Sequence, residues 1–340
     1  MLNRLREHDR NLVALPCGAG DVLVAPSLQG RVFCHLNGEL THRLDVDRLE
    51  NPVRGEFNNL GGNSLWPAPE GGEFAFNYPH GTGEWYVQKG IAEVNPVVTQ
   101  QDAHAAAIEK NVELVNRRGV SIRIRIQRRI TTVEPVSFLQ GFDLAGVGYR
   151  TEDIFTPEEP LDRQHVLMAP WSLEQFPGAD GVISFGKVSN AQTALNLDFY
   201  GDPGERITCG TDHFTFRLGG TDRHQIGVKV ANAPKCIGAL DTNRSLLILR
   251  YTNPQQGVYF NIADNDQSAG PFSAADLYSV FNGGALGFFE LETIGAMQVN
   301  ENRVMPSSLV SQTLILRGEM DELKRVLLER EGIPLMEVTR

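Results

Sequence analysis

Short apolar runs separated by turn residues set the rhythm of this chain. NLVALP, DVLVAP and GRVFCHL follow one another from Asn11. Runs of the same kind recur at 213–219, 224–231, 244–252, 257–263, 287–295 and 307–318. In VSIRIRIQRRI (120–130) the alternation is strict. Val120, Ile122, Ile124 and Ile126 share one face, and Ser121, Arg123, Arg125 and Gln127 the other, the period of two of a half-buried strand. TDHFTFRLGGTDRHQIGVKV reads as a hairpin. Residues 101–117 fit a helix by propensity and a hairpin by the turn in VELVNRRG, and both readings stay open. Residues 1–10 fit a short helix or a frayed end. The clearest helix is EMDELKRVLLEREG (319–332), where Leu323, Val326 and Leu327 share a face and Gly332 is a stop signal. Frequent short strands with little helix predict an all-β protein, a large sandwich or barrel. With no repeat, low-complexity tract or linker, residues 1–340 are expected to form one domain.

One stretch departs from this rhythm. NNLGGNSLWPAPEGGEFAFNYPHGTGEW (58–85) is dense in glycine and proline, which hold backbone at the surface and gather polar side chains. Trp66, Phe74, Phe76, Tyr78 and Trp85 offer flat apolar faces beside Asn59, Asn63, Glu70, Glu73, His80 and Glu84. Sugars bind such mixtures, stacking an apolar ring face on an aromatic plane while carboxylates and amides take the hydroxyls. The plainer reading is a loop-rich hairpin whose aromatics are core.

Charge and composition narrow the classes. The chain has 340 residues, 41% of them hydrophobic, and a formal charge of −11. That balance argues against nucleic acid or an anionic membrane as partner. No run approaches a membrane span and the N-terminus lacks a signal-peptide run, so a cytoplasmic protein is expected. Cys17, Cys34, Cys209 and Cys236 lie far apart and read as free thiols. No nucleophile elbow, phosphate loop or dinucleotide fingerprint occurs, and no local spacing suits a metal.

Two places carry possible chemistry. GFFELETIG puts Glu290 and Glu292 on one face of an apolar strand, where they repel unless that face lines a wet cleft or meets cations. Partly desolvated, one carboxyl would have a raised pKa suited to acid or base work. The stretch around 211–230 offers His213, Arg217, Arg223, His224 and Lys229, either for an anionic ligand or as a solvated outer face.

Together these residues resemble the galactose mutarotase-like superfamily, whose domains form a large antiparallel β-supersandwich. GGNSLWPAPEGGEF followed by HGTGEW is similar to the Gly-Gly, Trp-Pro and His-Gly elements of aldose 1-epimerase-like proteins, and closer to bacterial members with a GG…W.GPEGG pattern. HQIGVKVANAPKCIGALD with LLILRYTNP resembles the same members. GFFELET resembles the late strand whose Leu-Glu pair carries the mutarotase base, which implies Glu292 as base and Glu290 as its neighbour. The central His-x-Tyr-Phe motif is absent: PWSLEQF stands there, with Trp171, Glu174 and Gln175. The resemblance then leaves His80 or His213 as the acid, and implies a supersandwich with a short C-terminal helix and no cofactor.

Three functions follow. The first is a mutarotase using Glu292 and a histidine, with Trp66, Glu70, Glu73, Trp85, Trp171 and Glu290 around the sugar. The second is a non-catalytic sugar-binding or sensing protein on the same scaffold. The third is a lyase or hydrolase of acidic sugars, with Arg217, Arg223 and Lys229 on a carboxylate. All three take a small-molecule carbohydrate, and long sheet edges are compatible with a homo-oligomer.

Overall fold

The computed structural model describes residues 2–263, 270 and 272–335. Two ten-stranded sheets face each other. The first runs in the order Val13–Cys17, Gly20–Ala25, Arg31–Leu36, Gly62–Ala68, Ala169–Pro177, Phe288–Ile294, Asp276–Asn282, His224–Lys229, Leu195–Asn196, with Glu39–Leu40 added beside Arg31–Leu36. The second runs Ile207–Cys209, His213–Arg217, Val182–Lys187, Cys236–Asp241, Leu246–Thr252, Ser307–Gly318, Leu144–Pro157, Ser121–Thr132, Ala105–Val115, Val97–Gln101. Neighbouring strands are antiparallel, as in Ser307–Gly318 against Leu144–Pro157.

Alternation decides what fills the space between the sheets. Ile122, Ile124 and Ile126 are buried while Arg123 and Arg125 are exposed, as the period of two requires. Phe214 and Phe216 from the second sheet meet Ile226, Val228, Val280, Phe289 and Leu291 from the first. The helix Met320–Glu331 covers the outer face of the second sheet, packing Leu323, Val326 and Leu327 on Leu247, Leu249, Leu314 and Leu316. Each of those helix side chains contributes roughly 1.5–3 kcal/mol by leaving water. The helix ends at Gly332, whose φ of 65° suits a residue without Cβ.

Four readings resolve or change. Residues 2–8 are helical. Residues 101–117 contribute to two strands, ending Val97–Gln101 and forming Ala105–Val115, so tertiary pairing overrides helix propensity there. Residues 257–263 form no regular strand, making only a bridge from Val258 to Met297. The expected hairpin at 211–230 does not form, because His213–Arg217 and His224–Lys229 belong to different sheets. Both segments turn their apolar residues into the same inter-sheet core, so the chain arches from one sheet to the other. Gly219 and Gly220, at φ 89° and 70°, make that arch, and Asn282 Oδ1 accepts the Gly219 N–H at 2.9 Å.

Candidate functional site

Five neighbouring strands of the first sheet, from Gly62–Ala68 to His224–Lys229, carry the candidate site on the face turned away from the second sheet. Register places Trp171 opposite Trp66, Gln175 opposite Glu290, and Leu173 opposite Glu292. On the other side Glu292 pairs with Ser279 and Glu290 with Phe281, which in turn faces Gln225. Side chains at opposed positions share a face, so Trp66, Trp171, Gln175, Glu290, Glu292, Ser279 and Gln225 form one surface. Trp171 Nε1 donates to Glu292 Oε2 at 3.0 Å. Gln225 Nε2 donates to Ser279 Oγ at 2.9 Å and reaches both Glu292 oxygens at 3.3 Å. Gln175 Nε2 donates to Glu290 Oε1 at 2.8 Å.

A third acid arrives from the loop that follows Gly62–Ala68. The backbone N–H groups of Glu70 and Gly71 both donate to Ile262 O, at 3.0 and 3.1 Å. A Cβ on residue 71 would stand 1.6 Å from Ala263 O, so only glycine allows this approach. Trp85 Nε1 then donates to Glu70 Oε1 at 3.1 Å. Phe57 links Trp85 to Trp66, with ring centroids 6.4 and 5.4 Å away, and Trp66 meets Trp171 edge-on at 6.4 Å.

Electrostatics follow from this crowding. Burial is the main force raising all three carboxyls. Glu290 is pushed up to about 7 by burial and by Glu70, against Gln175, Arg31 and Arg43. Glu292 goes well above the carboxylate range, because burial is reinforced by Glu290 and Glu70. The arrangement therefore retains protons at neutral pH. At one rim Arg43 lies 4.9 Å over the Phe288 ring and donates to Gln175 Oε1 at 3.2 Å and Asp45 Oδ2 at 2.7 Å. At another, Tyr200 stands by Phe281 and its hydroxyl is held up by burial, then by Glu70.

The structure brings Trp66, Glu70, Trp85, Trp171, Glu290 and Glu292 together. Arg223 and Tyr78 stand at the rim of this site, beside Tyr200 and Glu70, while His80, Glu73, Lys229, His213 and Arg217 lie elsewhere. His80 is exposed, with Nδ1 2.7 Å from Arg117 O, and Glu73 is exposed nearby. Lys229 sits at a bulge where its strand pairs with Asp276. His213 and Arg217 alternate with Phe214 and Phe216 and so point to the outer face of the second sheet, across the sandwich from Glu292. His213 Nδ1 is 3.2 Å from Asp212 Oδ1. Arg217, with Arg206 and Lys324, lines a separate open cleft of about 900 Å³. Trp66, Phe74 and Phe76 also serve as core, as the plainer reading of their stretch expected. Sequence reasoning named Gln175 without giving it a role and overlooked Gln225, Arg43 and Tyr200. Alternation from Trp171 was a readable signal for Gln175; the others lie on distant segments. Among the described residues no group of three His, Cys, Asp or Glu side chains is arranged to hold a metal ion, and no helix is long and apolar enough to cross a membrane.

Opposed antiparallel sheets carrying a carboxyl-rich face define a galactose mutarotase-like β-sandwich. A provisionally named aldose 1-epimerase of Escherichia coli K12 is similar over 91% of this chain and 99% of its own, at 11% identity and a TM-score of 0.54. A galactose mutarotase-like protein of Lactobacillus casei matches 90% of the chain and 99% of its own at 10% identity, with a TM-score of 0.46. No curated protein sequence matches the chain. Over residues 1–340 it belongs to DUF6786, a family of unknown function.

Proposed function

We propose that this chain is a sugar mutarotase whose acid and base are both carboxyls. One observation carries the reading: Glu290 and Glu292 stand two residues apart on one face, and burial holds both above the usual carboxylate range. Their backbone positions are about 7 Å apart, a spacing that brackets an anomeric carbon and its two oxygens. Glu292, the more strongly shifted, keeps its proton and gives it to the ring oxygen as the C1–O5 bond breaks. Glu290 accepts the anomeric hydroxyl proton, leaving an open-chain aldehyde. Rotation about C1–C2 and the reverse transfers give the other anomer, with no redox change. This reverses the base assignment implied by the resemblance and replaces the histidine acid with a carboxyl. Trp85, half exposed, offers an apolar plane, and the buried Trp171 joins Gln175 and Gln225 in holding the acids in place.

Proton NMR of anomer exchange on a panel of free aldoses and sugar phosphates tests this reading. Exchange above the uncatalysed rate, lost in both Glu290→Gln and Glu292→Gln, supports the two-carboxyl mechanism. Exchange that survives both substitutions excludes it. A non-catalytic sugar-binding protein is the second reading, favoured by Glu292 being only 1% exposed beneath Trp171 and Gln225. Ligand shifts without exchange would establish it.

A further inference from the structure

Near the edge of the inter-sheet layer, three cations, Arg31, Lys110 and Arg128, gather with one carboxylate, Asp153, in ion-pair range among the described residues. Register places Arg128 opposite Ile108 and Lys110 opposite Ile126, so both cations point inward from the second sheet. Arg128 is 3% exposed. Its Nε pairs with Asp153 Oδ1 at 2.9 Å, and its Nη2 reaches Asn63 Oδ1 and, at 3.4 Å, Ser172 Oγ. Its Nη1 is buried with no hydrogen-bond partner among the described residues. Lys110 Nζ donates to Val94 O at 3.2 Å and has no carboxylate in ion-pair range among the described residues. Burial, then Arg31 and Arg128, lowers the Lys110 ammonium to about 8. Arg31 is itself buried and bonded only to neutral groups, Gly61 O and Gln29 Oε1. Arg128 and Lys110 line a partly open cavity of about 20 Å³, with Gln29, Leu65, Ile108 and Ile126 around it.

Buried cations in excess of their carboxylates are costly, and an orphaned guanidinium N–H adds to that cost. The cavity has room for one water-sized sphere. Sulfate or phosphate is too large. We propose that one small monovalent anion of the halide class, chloride in solution, binds between Arg128 and Lys110 and completes the charge balance of the inter-sheet layer.

Urea unfolding of protein freed of chloride by dialysis tests this, with sodium chloride exchanged for sodium gluconate at fixed ionic strength. The expected result is a midpoint that rises with chloride and with bromide. The folding equilibrium should gain about tenfold when the anion reaches ten times its dissociation constant. In Lys110→Met the chloride and gluconate curves should superimpose. Crystals grown in bromide should show one anomalous peak between Arg128 and Lys110. Superimposed curves in the wild type would mean that water alone fills the cavity and would overturn the proposal. An equal chloride response in Lys110→Met, or a cavity without bromide, would overturn it too.

Discussion

The two faces of the first sheet treat buried acids in opposite ways. On the inward face, Glu174 is surrounded by donors. His42 Nε2 is 2.8 Å from Oε1, Tyr149 donates to the same oxygen, and Arg250 Nη1 and Thr313 Oγ1 donate to Oε2, the latter at 2.7 Å. Burial alone would raise this acid, yet Arg250, His42 and Tyr149 together hold it down at about 2. Arg250 continues the network through Ser172 Oγ at 2.8 Å and Thr293 Oγ1 at 3.1 Å. On the outward face, burial raises Glu290 and Glu292, Glu70 adds to both and Glu290 adds to Glu292, while among the described residues their hydrogen bonds come from amide, indole and hydroxyl donors. A buried carboxyl with a cation is part of the frame. One without a cation is held in a state that chemistry can use.

The sharpest way to break this comparison is Glu174→Ala, which leaves Arg250 buried without its partner. The expected cost is about 3–5 kcal/mol in urea unfolding, or failure to fold. A loss below about 1 kcal/mol would show that the two faces are equivalent.

The outward acids should behave in the reverse sense. Their folded pKa values lie above the unfolded value of about 4.3, so the stability they contribute is full below that pH and fades as pH rises through about 7. Glu290→Gln should therefore flatten the fall in stability between pH 5 and 8 and leave the variant roughly 1–3 kcal/mol more stable than wild type at pH 8. Glu174, held low, contributes stability that is complete above about pH 4.3 and is lost only as pH falls towards 2. Unfolding midpoints across pH 2–8 separate the two effects. If Glu290→Gln loses stability at pH 8, the outward acid belongs to the frame after all.

The smallest effect sharpens the functional half. Trp85 is 49% exposed, and Trp85→Ala should change stability by less than about 0.5 kcal/mol. Its sugar affinity should fall by roughly 0.5–1.5 kcal/mol, about two- to tenfold, by titration calorimetry. Unchanged affinity would remove Trp85 from the sugar-facing surface.

What could be read from the residues followed the local period. Strict alternation at 120–130 gave the strand Ser121–Thr132 and its faces, and the i, i+2 pair in GFFELETIG gave the acids a common face. The same alternation puts Arg128 on the apolar side, a signal in plain sight. Partners were harder to see. Two glycines after Leu218 suit a hairpin turn as well as an arch between sheets, and only the shared core distinguishes them. His42, Tyr149, Arg250 and Thr313 meet Glu174 from distant segments, and no spacing announces such a meeting. Nor does any spacing show that His213 lies beyond a whole sheet from Glu292.

The order of strands bears on how the acid pair comes into being. Phe288–Ile294 is inserted between Ala169–Pro177, more than a hundred residues earlier in the chain, and its near neighbour Asp276–Asn282. Phe288–Ile294 is a middle strand of the first sheet and Ser307–Gly318, further on, a middle strand of the second, so the acid face and the sandwich are completed together. Contacts between such remote segments form slowly. The face that carries both acids therefore exists only once residues 169–177 and 288–294 have paired across more than a hundred residues of intervening chain.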